Sequence, residues 1–86
     1  MELVLVAWID VHSASNPWMA AEEAADMEPI PMLTVGWVLK ETETYVVLVG
    51  TRSNDGEGLV GDINCIPKAL VSQVTRLADF WKDVSI

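Results

Sequence analysis

MLTVGWVLKETETYVVLVGTR (residues 32–52) reads as two β-strands and the turn between them. Met32 to Glu41 and Thr44 to Arg52 are dense in β-branched and aromatic residues, with Glu41-Thr42-Glu43 joining them. A link this short favours an antiparallel hairpin, although neither Gly nor Asn marks the turn. With a period of two, Leu33, Val35, Trp37 and Leu39 share one side, and Thr34, Gly36, Val38 and Lys40 share the other. Gly36 beside Trp37 suggests a bend or bulge, a device that lets a small sheet curl on itself.

Working outward, Leu3 to Val11 is rich in Val, Leu and Ile and predicts a first strand. His12 to Pro17 predicts a loop leading into a helix from about Pro17 to Met27. Asn16 serves as its cap and Pro17 as its first residue. Glu28-Pro29-Ile30-Pro31 ends that helix, because two prolines in three residues remove the amides it would need. On the C-terminal side, Ser53 to Gly58 predicts a turn and Leu59 to Ile66 a fourth strand. Residues 67–82 admit two readings. Leu70, Val71, Val74, Leu77, Ala78 and Trp81 fall at helical spacing, which predicts an amphipathic helix. A single turn at Pro67–Leu70 followed by a strand would instead supply a fifth strand, although the periodicity favours the helix. The fold class is therefore mainly β (α+β): one domain over residues 1–86, a small barrel or strongly curled antiparallel sheet of four or five strands. One short helix follows strand 1; the alternative is a curled sheet with an additional C-terminal helix.

Composition limits what such a domain can do. Thirteen acidic residues stand against five basic ones, a formal charge of −8, while 51% of the chain is hydrophobic. That field repels nucleic acid and attracts cationic surfaces. A core of this size leaves roughly 3–5 kcal/mol of net stability unless something is added. Cys65 is alone and so forms no internal disulfide; it suggests a reducing cytoplasm and a buried thiol. With one His and one Cys far apart, neither metal nor cofactor is expected. Self-association, as a dimer or small ring through sheet edges or exposed Trp, is the remaining stabiliser. No apolar run is long enough to span a membrane, and the acidic opening Met1-Glu2 is unlike a signal peptide.

Chemistry-bearing residues are single and scattered, which argues against an enzyme. Asp10 and His12 could pair at a strand end, but no nucleophile accompanies them. Asn54-Asp55-Gly56-Glu57-Gly58 with Asp62 offers oxygen ligands without the spacing of a calcium loop, and reads better as a turn. Arg52, Lys68 and Arg76 are candidates for holding a small anion. On the expected helix, Glu22, Glu23 and Asp26 fall within about 100° of arc, with no Lys or Arg on the helix to offset them. Glu22 and Asp26 would form a like-charged i,i+4 pair, and Asp26 and Glu28 would lie at the negative end of the dipole. These three acids, with Trp18, are the candidate partner-binding face. Trp8 and Trp37 suit a core; Trp18 and Trp81 flank elements and could anchor an interface.

Three segments together carry a resemblance: Val6-Ala7-Trp8-Ile9-Asp10, then Val35-Gly36-Trp37-Val38-Leu39 with Tyr45-Val46-Val47-Leu48, and Ile66-Pro67-Lys68-Ala69-Leu70-Val71. In that order they resemble a group of small, uncharacterised proteins of tailed bacteriophages with Trp-x-Asp, Val-Gly-Trp and Ile-Pro-Lys motifs. The resemblance implies an SH3-like or Sm-like small barrel in the cytoplasm of an infected bacterium, with no activity to carry over. It also favours turn plus strand over a helix at residues 67–82, and that is the preferred reading. The expected function is non-enzymatic: binding a host protein with a basic surface, and so modulating it, through the acidic face. The alternative is a homo-oligomeric module that sequesters a small anionic ligand, such as a signalling nucleotide, around Arg52, Lys68 and Arg76.

Overall fold

The computed structural model describes residues 1–77. Its strands are β1 (Leu3–Asp10), β2 (Ile30–Glu41), β3 (Tyr45–Arg52), β4 (Val60–Pro67) and β5 (Val71–Arg76). One helix, α1 (Ala21–Ala25), lies between β1 and β2, and a 3₁₀ turn, Lys68–Leu70, lies between β4 and β5. All pairings are antiparallel, in the order β4-β3-β2-β1-β5. The turn-plus-strand reading of residues 67–76 holds, and no helix forms there; Ala78 and Trp81 lie outside the described residues. The expected barrel is not closed, because β4 and β5 are the two edges of an open sheet and share no ladder.

Strand β2 is shared between two halves of the sheet. Residues 30–37 pair with β1, from Asp10↔Ile30 to Leu3↔Trp37, while β3 pairs only with Trp37 to Glu41. A register shift between Val38 and Lys40 marks the irregularity, so the bulge sits at Leu39 rather than at Gly36. Gly36 instead permits close packing of strands. A Cβ there would lie 2.9 Å from the Val49 carbonyl oxygen, so only glycine lets β3 approach this closely. The turn without Gly or Asn is made by Thr42, whose Oγ1 accepts from the Thr44 and Tyr45 amides at 3.2 and 3.1 Å.

The two halves curl toward each other and bury a small core. Val4 and Val6 of β1 meet Val46 and Leu48 of β3 and Ile66 of β4, with Trp8, Val38 and Val71 packed at the margin. Trp8 satisfies its ring N–H by donating to Thr34 Oγ1 at 2.9 Å. Leu33, Val35 and Trp37 belong to the opposite face, where Leu33 is 72% and Val35 54% exposed. Trp37, expected in the core, is thus half-buried on the outer face. Cys65 is exposed as well, contrary to the buried thiol expected. It is registered against Val47, between the core-facing pairs Val46↔Ile66 and Leu48↔Asn64, so the pleat turns it outward.

The helix is much shorter than Pro17–Met27. Ala20, not Asn16, takes the N-cap position, without a side-chain hydrogen bond, and no residue of α1 is buried. Five residues without a packed face cannot be extended by propensity alone, since helix nucleation is costly.

Candidate functional site

Residues 11–29 form an arm that leaves the sheet after β1 and returns at β2. Its base is clasped by His12, whose Nδ1 donates to the Glu28 carbonyl at 3.0 Å. Asp10 Oδ1 accepts from the Val11 amide at 2.8 Å, so the Asp10 and His12 side chains are each engaged with backbone. The arm carries four carboxylates, Glu22, Glu23, Asp26 and Glu28, with Asp10 just before it at the end of β1, and neither Lys nor Arg. Trp18 stands 89% exposed in the same arm.

The helix dipole acts unequally on the arm acids. Because α1 begins at Ala21, Glu22 and Glu23 occupy its first turn, where negative charge is favourable; only Asp26, at the C-cap, is disfavoured. Among the described residues the two ion pairs are Lys68–Glu41 and Arg76–Glu2. Among the described residues, then, no cation is paired to the arm acids. Their shared feature is exposure rather than helix strain.

A second feature is a cleft of about 410 Å³ between the two halves of the sheet, floored by Val4, Val6, Val38 and Val46. Lys68 and Arg76 both line it. Lys68 Nζ lies 2.7 Å from Glu41 Oε2, and Arg76 Nε lies 2.9 Å from Glu2 Oε1. Arg52 is elsewhere, its guanidinium 5.5 Å from the centre of the Trp37 ring on the outer face. Of the three cations in the anion-binding expectation, then, two converge, each with a carboxylate already in place. Sequence reasoning missed Glu2 and Glu41. Only the strand register brings them there: β5 sets Arg76 opposite Val4, and so beside Glu2.

Lys68, by hydrogen bond and by charge, holds the Glu41 carboxyl below its ordinary value of 4.5. A depressed folded value means the pair contributes to stability above the unfolded value. That contribution is lost as pH falls below about 4.5 through the folded value. In Lys68→Met, the Glu41 titration followed by carboxyl-carbon NMR is expected to move up to the ordinary range. An unmoved midpoint would show that the pair is not formed in solution.

The acidic loop after β3 is a turn held by its own groups. Asp55 Oδ1 accepts from the Glu57 amide at 3.0 Å, which lowers the Asp55 pKa, and Gly56 and Gly58 take φ of 84° and 73°. Asp62 Oδ2 accepts from Thr51 Oγ1 at 2.6 Å. No group of three metal-capable side chains occurs among the described residues. No helix among them is long and apolar enough to cross a membrane. Comparison of the chain with protein-family models, curated proteins and solved structures finds no match.

Proposed function

We propose that this protein is a non-enzymatic binding module whose acidic arm engages a basic surface on a partner protein. The observation that carries this reading is the arm itself. Trp18, almost fully exposed, stands with Glu22, Glu23 and Asp26 on a projecting segment that has no cation of its own. Exposed Trp is the residue type most enriched at binding hot spots, and like-signed charges around it steer an oppositely charged partner. The resemblance to tailed-bacteriophage proteins supports a host protein as that partner and the infected cell as the setting. It also supports the finer reading of the sheet as an opened SH3-like or Sm-like barrel, since the 3₁₀ turn precedes a last strand laid beside the first.

The test is kinetic, on the partner captured from the infected bacterium. Replacing Glu22, Glu23 and Asp26 by Gln takes the net charge from −8 to −5. It is expected to slow association about tenfold at low salt and to flatten the salt dependence. Trp18→Ala is expected to weaken affinity about 30-fold or more, chiefly through the off-rate. A triple variant that associates as fast as the parent at low salt would reduce the acidic arm to a solubility device. Capture of a small anion in the cleft is the second reading, favoured by the convergence of Lys68 and Arg76. There an anion must displace Glu41 or Glu2 from its cation.

A further inference from the structure

Among the described residues, the one-sided stretches of strand include the outer sides of β4 and β5 and the first half of β2. They are not alike. β4 is interrupted at Asp62, whose φ is 53°, and β5 is polar at Ser72, Gln73 and Thr75 and ends on Arg76. Left-handed residues, polar side chains and charges are the usual means of preventing strand-to-strand association. The first half of β2 has only Pro31, near its start. From Ile30 to Val35 it pairs with β1 alone, because the β3 ladder begins at Trp37. Ile30, Met32, Leu33 and Val35 are all exposed. From Ile30 to Leu39 there is no charged residue, in a chain where 21% are charged.

The geometry points to residues Ile30–Val35 as the interface for a second copy of this chain, pairing antiparallel with the same segment across a twofold axis. Such an interface is isologous, so one self-complementary segment suffices. The unmatched amides and carbonyls along this side of β2 become ladder partners, and Leu33 and Val35 of each copy cover the other. Between two copies, repulsion is least at this contact. Two bodies of −8 repel across any acidic face, whereas this segment holds no carboxylate. Centred on Leu33, the pairing runs from Pro31 to Val35, and five residues at about 3.4 Å give a ladder of about 17 Å, the length of an ordinary strand. The pairing would also couple folding to assembly in a domain with few buried residues.

Sedimentation equilibrium of the full chain is expected to give a dimer at tens of micromolar, and the dimer should tighten as salt is raised, because screening relieves repulsion between like-charged copies. Binding through the acidic arm should weaken with salt, so the two proposals fail separately. Leu33→Lys with Val35→Lys lowers the net charge magnitude from 8 to 6, which by itself would favour association. The double variant is nonetheless expected to raise the dimer dissociation constant more than about 100-fold, as edge lysines do. Trp18→Ala should leave the dimer unchanged. A monomeric parent, a dimer that survives the two lysines, or one lost with Trp18→Ala would each overturn the assignment. Should the double variant misfold by circular dichroism, the salt series on the parent decides alone: a dimer weakened by salt overturns the proposal.

Discussion

Leu48→Ala is expected to abolish cooperative unfolding, leaving a chain that is largely unfolded at 25 °C in dilute solution. Leu48 is 1% exposed, one of the six buried hydrophobic residues among the described part of the chain, and it packs in a cluster drawn from both halves of the sheet. Truncating a buried Leu to Ala costs about 2–5 kcal/mol, depending on how far the cavity collapses. A domain of this size has roughly 3–5 kcal/mol to lose. Strand backbones on either side of Leu48 are held by ladders, so the cavity has little room to close, and the upper part of the range applies. Urea denaturation followed by tryptophan fluorescence would check it. A sigmoidal transition with a midpoint near the parent's would mean that the core lies elsewhere.

Gly36→Val is the second substitution with a large expected effect, for the opposite reason. The added Cβ would sit 2.9 Å from the Val49 carbonyl oxygen and 3.3 Å from Leu48 Cβ. The nearest obstacle is backbone, which cannot swing aside as a side chain can. Relief requires β2 and β3 to separate beside the residue where β2 passes from one partner to the other. Overpacking of this kind costs typically 1–3 kcal/mol and more where the backbone must move, and the two further methyls place Val at the upper end. Gly61→Ala is the control, since its Cβ would meet only Thr51 Cβ, at 3.8 Å. The expected pattern is a midpoint far below the parent's for Gly36→Val and one near the parent's for Gly61→Ala. Equal midpoints would remove the argument for close approach.

These two positions also show where the sequence is transparent. The first four strands were legible because β-branched runs alternate between turn residues; β5 was not, because Leu70, Val71, Val74 and Leu77 also fall at helical spacing and only the resemblance favoured turn plus strand. The orientation of β2 was not legible either, since the more apolar of its two alternating sets is not the one that faces the core. The bulkier set, Leu33, Val35 and Trp37, faces outward, while Thr34, Gly36 and Val38 face the core. Hydrophobicity alone ranks these the other way round; what decides is that Gly36 must lie against β3. The length of α1 was illegible for a related reason. Caps and prolines mark where a helix can start and stop, but only a buried face makes it extend, and the arm has none. At the candidate site, Trp18 and the arm acids could be singled out from charge and composition alone. The acids that neutralise Lys68 and Arg76 could not, because Glu41 and Glu2 reach them only through strand pairing between distant parts of the chain.

The division of β2 between two partners has a consequence for the order in which the chain acquires its shape. Its second half meets β3 across a three-residue turn, a local event on the microsecond scale of hairpins. Its first half must wait for β1 to be brought back across the whole arm. β5 is more distant still: the Ser72 hydroxyl donates to the Ala7 carbonyl across 65 positions. Loop closure must precede any gain from such contacts, so folding slows as pairings become less local. During translation, β2, β3 and β4 can assemble while β1 waits with one side vacant. The valines at positions 4 and 6 are sealed only after Arg76 has cleared the ribosome.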